Sequence, residues 1–269
     1  MSEKTQKAIA KREAEKAKKS DKALALLNAC RAKGAAMPFT TTPYARHLEL
    51  NNQQQSIAER LHLGLPPEPQ MPLHCACYAP NGQYASDPWH ALSCQSEKGT
   101  SITDRHDDIK LALARWATRL GARVKIEPRK LDPSSRKRPD LMIEIGGQCY
   151  LIDVTVVHPL APSHVAACAR DEEKVLAEAE ANKLETYRAI ADEIKAEFFA
   201  FAVETTGRLG DRALAFIKTL IQQGARFKNV WAPKEVVQGI YRTVAIAIAR
   251  GNAEIITSNL RRSRGAAWD

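Results

Sequence analysis

One stretch, KRPDLMIEIGGQCYLIDVTVV (Lys137–Val157), limits the possible folds more than any other part of this chain. Two apolar runs meet at Gly146-Gly147, which reads as a tight β-hairpin because both central residues of such a turn need positive φ. A two-residue turn pairs Ile145 with Gln148. Every directly opposed pair farther out then shares one residue-number sum, and Asp140 and Asp153 satisfy it. The two acids therefore face each other on one side of the hairpin, with Cβ atoms ~5 Å apart. Like charges so placed destabilise a sheet. Leu151, Ile152, Val154, Val156 and Val157 mark the second strand as buried, which sharpens the repulsion. A raised pKa, a nearby cation or a bound divalent metal must relieve it. Facing carboxylates suit Mg2+ (or Mn2+), which takes oxygen ligands and keeps waters for a substrate phosphate. Such an ion activates water and stabilises a leaving oxygen. The plain alternative is that Asp140 opens a strand after Pro139 and stays solvated.

The hairpin sits within an alternating pattern. Asp104 opens a helix in DRHDDIKLALARWATRLGA, with Ile109, Leu113, Trp116 and Leu120 at helical spacing and Gly121 as its C-cap. RVKIEP reads as a strand. Residues 171–198 read as the longest clear helix, FFAFAVETTG as a strand ended by Gly207, and GDRALAFIKTLIQQGAR as a further helix. Strand and helix in this order specify an α/β domain over 100–230, a mixed sheet with helices on its faces. Residues 231–269 are largely helical and pack on the core or on a partner. Residues 1–36 form a basic helical or disordered arm, and 37–72 hold an amphipathic helix near Gln53–Leu63 followed by a Pro-rich linker.

Residues 73–99 have no periodicity and little apolar content, so this small module needs a staple. HCACYAPNGQYASDPWHALSC offers Cys75, Cys77, His90 and Cys94, a donor set suited to tetrahedral Zn2+ in a structural role. His74 is an alternative ligand, and the Cys-x-Cys pair makes a tight turn. Cys30, Cys149 and Cys168 are scattered and read as small buried hydrophobes.

Charge bears on partners. The net charge is +9, with ten Lys/Arg against four Asp/Glu over Met1–Gly34 and seven against two over Arg123–Arg138. The second segment leads straight into Arg138-Pro139-Asp140. Cation density beside a carboxylate pair fits a phosphate backbone, with Arg129, Lys130, Arg136, Lys137 and Arg138 as candidate contacts to DNA or RNA. No apolar run nears the ~20 residues that span a bilayer, and the N-terminus has no apolar signal core. An intracellular protein of nucleus or cytoplasm is expected, with no membrane partner.

RPD, twelve residues, then DVTVV resembles the PD-(D/E)XK nuclease signature. More specifically, the chain resembles the restriction-like endonuclease domain near the C-terminus of site-specific LINE-type (non-LTR) retrotransposon polyproteins. That resemblance implies a restriction-endonuclease-like sheet, a zinc knuckle before it, and a metal-dependent DNA endonuclease with Mg2+ on Asp140 and Asp153. Thr155 stands where the usual lysine would be. The family supplies that function from the following helix in a Lys-x-x-x-Tyr pattern, here Lys183 and Tyr187, whose i, i+4 spacing puts both on one face. The Arg-His-Asp pattern at the preceding helix corresponds to Arg105, His106 and Asp107. Asp107 or Asp108 would complete the metal shell, and Arg105 or His106 would contact the scissile phosphate. In the plain reading of that segment, Asp104 caps the helix and the acids favour its dipole. The resemblance covers residues 55–215. It also implies a reverse transcriptase and retrotransposon ribonucleoprotein as context. Two other readings are a catalytically inactive nucleic-acid-binding module on a nuclease fold, and a protein-interaction scaffold using the helical C-terminus.

Overall fold

The computed structural model describes residues 20–32, 34–40, 48–77, 82–94, 100–129, 131, 137–228 and 233–265. The first part of the expected N-terminal arm, and Lys130 and Arg136, lie outside the described residues. The elements are α1 (Asp21–Arg31), α2 (Met37–Thr40), α3 (Asn52–His62), α4 (Thr100–Arg119), β1 (Arg123–Ile126), β2 (Leu141–Ile145), β3 (Gln148–Val157), α5 (Val165–Arg170), α6 (Lys174–Glu193), β4 (Glu197–Glu204), α7 (Asp211–Lys228) and α8 (Pro233–Gly265). No helix among the described residues is long and apolar enough to cross a membrane.

The strands form one mixed sheet in the order β1-β2-β3-β4, antiparallel except for the parallel pair β3–β4. The hairpin turns on Gly146 (φ 63°) and Gly147 (φ 77°), as the two-glycine joint demands. Ile145 pairs with Gln148, and the register runs unbroken to Leu141 opposite Ile152. Period-2 alternation then sorts the side chains. Ile143, Ile145, Tyr150, Ile152, Phe199 and Phe201 face one core, shared with α4, α7 and α8. Leu151, Phe198 and Ala200 face α6, through Tyr187 and Ile190. A second apolar cluster joins α1, α3, α5 and the end of α8 to Cys75, Tyr84, Trp89 and Cys94.

Several boundaries differ from expectation. Helix α4 begins four residues before Asp104, which therefore lies in its second turn and caps nothing. Helix α6 is shorter than 171–198: Lys195 takes a left-handed φ of 53° and frees the chain for β4. The longest helix is α8, which packs lengthwise on α4. Gly239 and Gly251 allow that approach. A Cβ at Gly251 would stand 2.4 Å from Arg105 Cβ and 3.0 Å from its Cα. Gly251→Ala is expected to destabilise by up to about 2 kcal/mol, because overpacking of ~1–3 kcal/mol is set against the ~1 kcal/mol that alanine gains in a helix. A urea midpoint equal to or above wild type would contradict this.

Glu204 ends β4 and is 2% exposed. Burial pushes its carboxyl up to about 7, with Glu172 adding to the rise, while the Thr206 hydroxyl (3.0 Å) and Arg208 pull the other way. An acid that holds its proton more tightly when folded loses stability as pH rises from its unfolded value, 4.5, through about 7. At ~1.4 kcal/mol per pH unit the loss comes to about 3 kcal/mol. Glu204→Gln should therefore gain about 3 kcal/mol on wild type between pH ~4.5 and ~8. Parallel stability profiles for the two proteins would refute the assignment.

Candidate active site and metal centre

Asp140 stands one residue before β2, where the hairpin register puts it opposite Asp153 of β3. Both acids are buried, at 9% and 4% exposure. Asp140 Oδ2 accepts the Val154 backbone N–H at 2.6 Å and lies 3.0 Å from His106 Nε2. The side chain thus takes over where the β2 backbone leaves the ladder, and α4 reaches it from the other side. Asp153 shares its face with Leu151, the face that α6 covers. Lys183 of α6 brings its Nζ to 2.6 Å from Asp153 Oδ2. One turn on, Tyr187 donates its hydroxyl to the Arg138 carbonyl at 2.8 Å and stands beside Asp153. Burial raises the Asp153 pKa, and the charge of Asp140 raises it further against the pull of Lys183. Tyr187 is driven upward by burial and by Asp153. Two of the anticipated reliefs of the repulsion are therefore present, a raised pKa and a cation.

The Arg-His-Asp segment divides. His106 faces Asp140. Burial opposes its charge, but the Asp140 hydrogen bond and charge, with Asp107, outweigh burial and raise its pKa. Asp107 lies 3.2 Å from His106 Nδ1 and 2.8 Å from Lys110 Nζ, whereas Asp108 sits in the field of Arg250 and Arg115. Asp107 is the acid on the site's side. Arg105 is not at the site. The residue is 4% exposed, and its guanidinium donates to Asn252 Oδ1 of α8 at 2.8 Å and is lowered to about 10 by burial. Successive helix residues turn by ~100°, so neighbours in sequence need not share a face.

Two residues not singled out from the sequence belong here. Lys110, one turn after His106, is buried and pairs with Asp107 and with Glu127 Oε1 at 2.7 Å. Glu127 has a left-handed φ of 48°, and its N–H donates to the Asp140 carbonyl at 2.8 Å. A non-glycine residue in that region costs ~1–3 kcal/mol, so Glu127 is held there by its partners. The i, i+4 spacing of His106 and Lys110 was a legible sign; nothing local foretold Glu127. Of the basic residues, Arg129, Lys137 and Arg138 are exposed. Lys137 donates to the Thr186 carbonyl (3.3 Å), and Arg138 pairs with Glu127 Oε2 (3.5 Å).

The Cys/His segment closes on itself as its spacing implies. Ligand atoms of Cys75, Cys77, His90 and Cys94 all lie within 4.8 Å of one another, so the group can hold a metal ion such as zinc. Cys75 Sγ is 3.8 Å from Cys94 Sγ, and Cys77 Sγ is 3.3 Å from His90 Nε2. His74 is not in the cluster and bridges to Gln83 instead. The opposite nitrogen, His90 Nδ1, faces Asp87 Oδ2 at 3.9 Å. Carboxylate, imidazole and thiols thus stand in the sequence of an outer-shell acid orienting a metal-binding histidine. Burial lowers the His90 pKa and raises that of Asp87. Burial would also raise Cys75, but hydrogen bonds from Cys77, Asn259 and Cys94 outweigh it and favour the thiolate. Lys22 of α1 reaches the Ser86 carbonyl at 2.6 Å and fastens the segment to the first helix.

No protein-family model matches this chain, and no curated protein matches it.

Proposed function

We propose that this chain is a metal-dependent endonuclease of restriction-like type that cleaves DNA phosphodiester bonds, and that zinc occupies the Cys/His cluster as a structural ion. One observation carries the nuclease reading. A carboxylate just ahead of β2 stands opposite one on β3, both buried, and a lysine from the next long helix lies 2.6 Å from the second. The donor set fits a hard divalent cation: Asp140 and Asp153 offer carboxylate oxygens, and the Asp153 pKa is raised first by burial and then by the charge of Asp140. Mg2+ (or Mn2+) held by these acids, with Asp107 beyond His106, would supply Lewis-acid activation of the phosphate and of water. The chain's own residues do the rest. Lys183, 34% exposed, reaches the site mouth, where its charge offsets the charge that develops on phosphate. Tyr187 fixes the Arg138 backbone and the α6 face that presents Lys183. His106 holds a proton against Asp140 and can exchange it with a reacting oxygen. Exposed Arg129, Lys137 and Arg138 provide backbone grip on the nucleic acid.

The test is supercoiled-plasmid nicking with Mg2+ or Mn2+. Wild type should nick, and the double change Asp140→Ala/Asp153→Ala should abolish nicking. Identical nicking by both proteins would end the catalytic assignment. A second reading, a binding module without catalysis, is favoured by one contact pattern: both acids already carry a basic partner, His106 and Lys183. Under that reading wild type retards DNA in a salt-sensitive way, and neither metal produces cleavage.

A further inference from the structure

The end of α8 runs over the Cys/His cluster with a buried polar stripe. Asn259 is 1% exposed and Ser263 is 4% exposed. Tyr84, from the segment between the two halves of the cluster, directs its hydroxyl to Asn259 Oδ1. Ser263 spends its own proton on the Asn259 carbonyl at 2.9 Å and accepts the Ala76 N–H at 3.0 Å. Asn259 Nδ2 lies 3.3 Å from Cys75 Sγ and Oδ1 3.5 Å from it; with Tyr84 donating to Oδ1, the amide N–H is the group left to face the sulfur. An N–H donor on a sulfur is worth most when the sulfur is an anion, the state a metal ion requires. Ala76 lies between the first two thiols, so Ser263 holds the backbone of the Cys-x-Cys turn itself.

We propose that Asn259 and Ser263 form the outer shell of the metal centre, so that metal binding and docking of the α8 C-terminal end over the cluster are one coupled event. The partners lie 184 and 187 residues apart in sequence. The ion therefore closes a link between the segment ahead of the sheet and the last helix after it. The proposal rests on the metal reading of the Cys/His cluster.

The test measures zinc affinity of the full chain by competition with a chromophoric chelator. Outer-shell partners typically contribute 10–100-fold to metal affinity, so Asn259→Leu should weaken zinc by that factor. Asn252→Leu, two turns earlier on the same helix, should leave zinc affinity within twofold. Cobalt substitution adds a signature that mere destabilisation would not move: the thiolate-to-metal charge-transfer band should shift in Asn259→Leu and stay fixed in Asn252→Leu. Hydrogen exchange on wild type needs no variant to fold. Chelation should speed exchange at Asn259–Gly265 at least tenfold. Tight zinc binding with unchanged affinity, unchanged spectrum or unchanged exchange overturns the coupling alone. A wild type that binds no zinc overturns the metal reading and the coupling with it.

Discussion

Lys183→Met is expected to lower plasmid nicking by about 10²–10⁴-fold, the range for a positioned group acting on charge or proton in the transition state. Methionine keeps the apolar stem that lies along α6 and removes only the ammonium 2.6 Å from Asp153 Oδ2. Because the side chain is one-third exposed, the core should tolerate the change. The loss should fall on kcat more than on KM, since the proposed role puts Lys183 where charge develops and not along the exposed basic rim. A second effect follows from the carboxylate pair. With the ammonium gone, the buried Asp153 faces Asp140 without its cation. Added Mg2+ should then raise the melting temperature of the variant more than that of wild type. Nicking within threefold of wild type, at wild-type thermal stability, would remove Lys183 from catalysis.

Stripping metal from the Cys/His cluster should have the largest effect on stability. The cluster's residues share an apolar cluster with α1, α3, α5 and α8, so its loss reaches across the chain. If free zinc exceeds the dissociation constant a thousandfold, binding contributes ~4 kcal/mol. For a chain of this size that corresponds to a melting temperature about 8–16 °C lower on chelation, at ~2–4 °C per kcal/mol. Cys75→Ser/Cys94→Ser should show the same loss without chelator, and no further loss with it. A wild type with no bound zinc and a melting temperature indifferent to chelator would refute the assignment.

The hairpin was legible because two short-range rules act together on it. Gly146-Gly147 specifies the turn, and apolar alternation specifies the face, so the register followed from counting. The Cys75, Cys77, His90 and Cys94 set was legible for a similar reason, since thiols and imidazole in a short polar segment have few other uses. Lys183 and Tyr187 were reached only through the family resemblance, which expects a Lys-x-x-x-Tyr pattern in the helix after the second strand. What the sequence left open was set by long-range packing. Arg105 sits next to His106 in the chain, yet α8 claims it through Asn252. Asp107 and Asp108 are chemically alike, and only the helix phase against β1 and α8 separates them. Asn259 shows no local signal, because the cysteine it contacts lies 184 residues away. The start of α4 lies earlier than the sequence signals because the turn before Asp104 carries a single apolar residue, Ile102, and no stripe.

The turn at Gly146-Gly147 also restricts how this sequence can change over time. Asp140 and Asp153 meet only because equal numbers of residues run outward from the turn on each side. Loss or gain of a single residue between them would swing one acid to the opposite side of the sheet, among the aromatic residues of the larger core. The hairpin can therefore lengthen or shorten only by matched steps in both strands. Point substitutions can accumulate freely along its exposed positions, while the twelve-residue interval between the acids stays fixed. Conservation of that interval, more than of any single neighbour, is the mark by which descendants of this chain that keep the pair would be known.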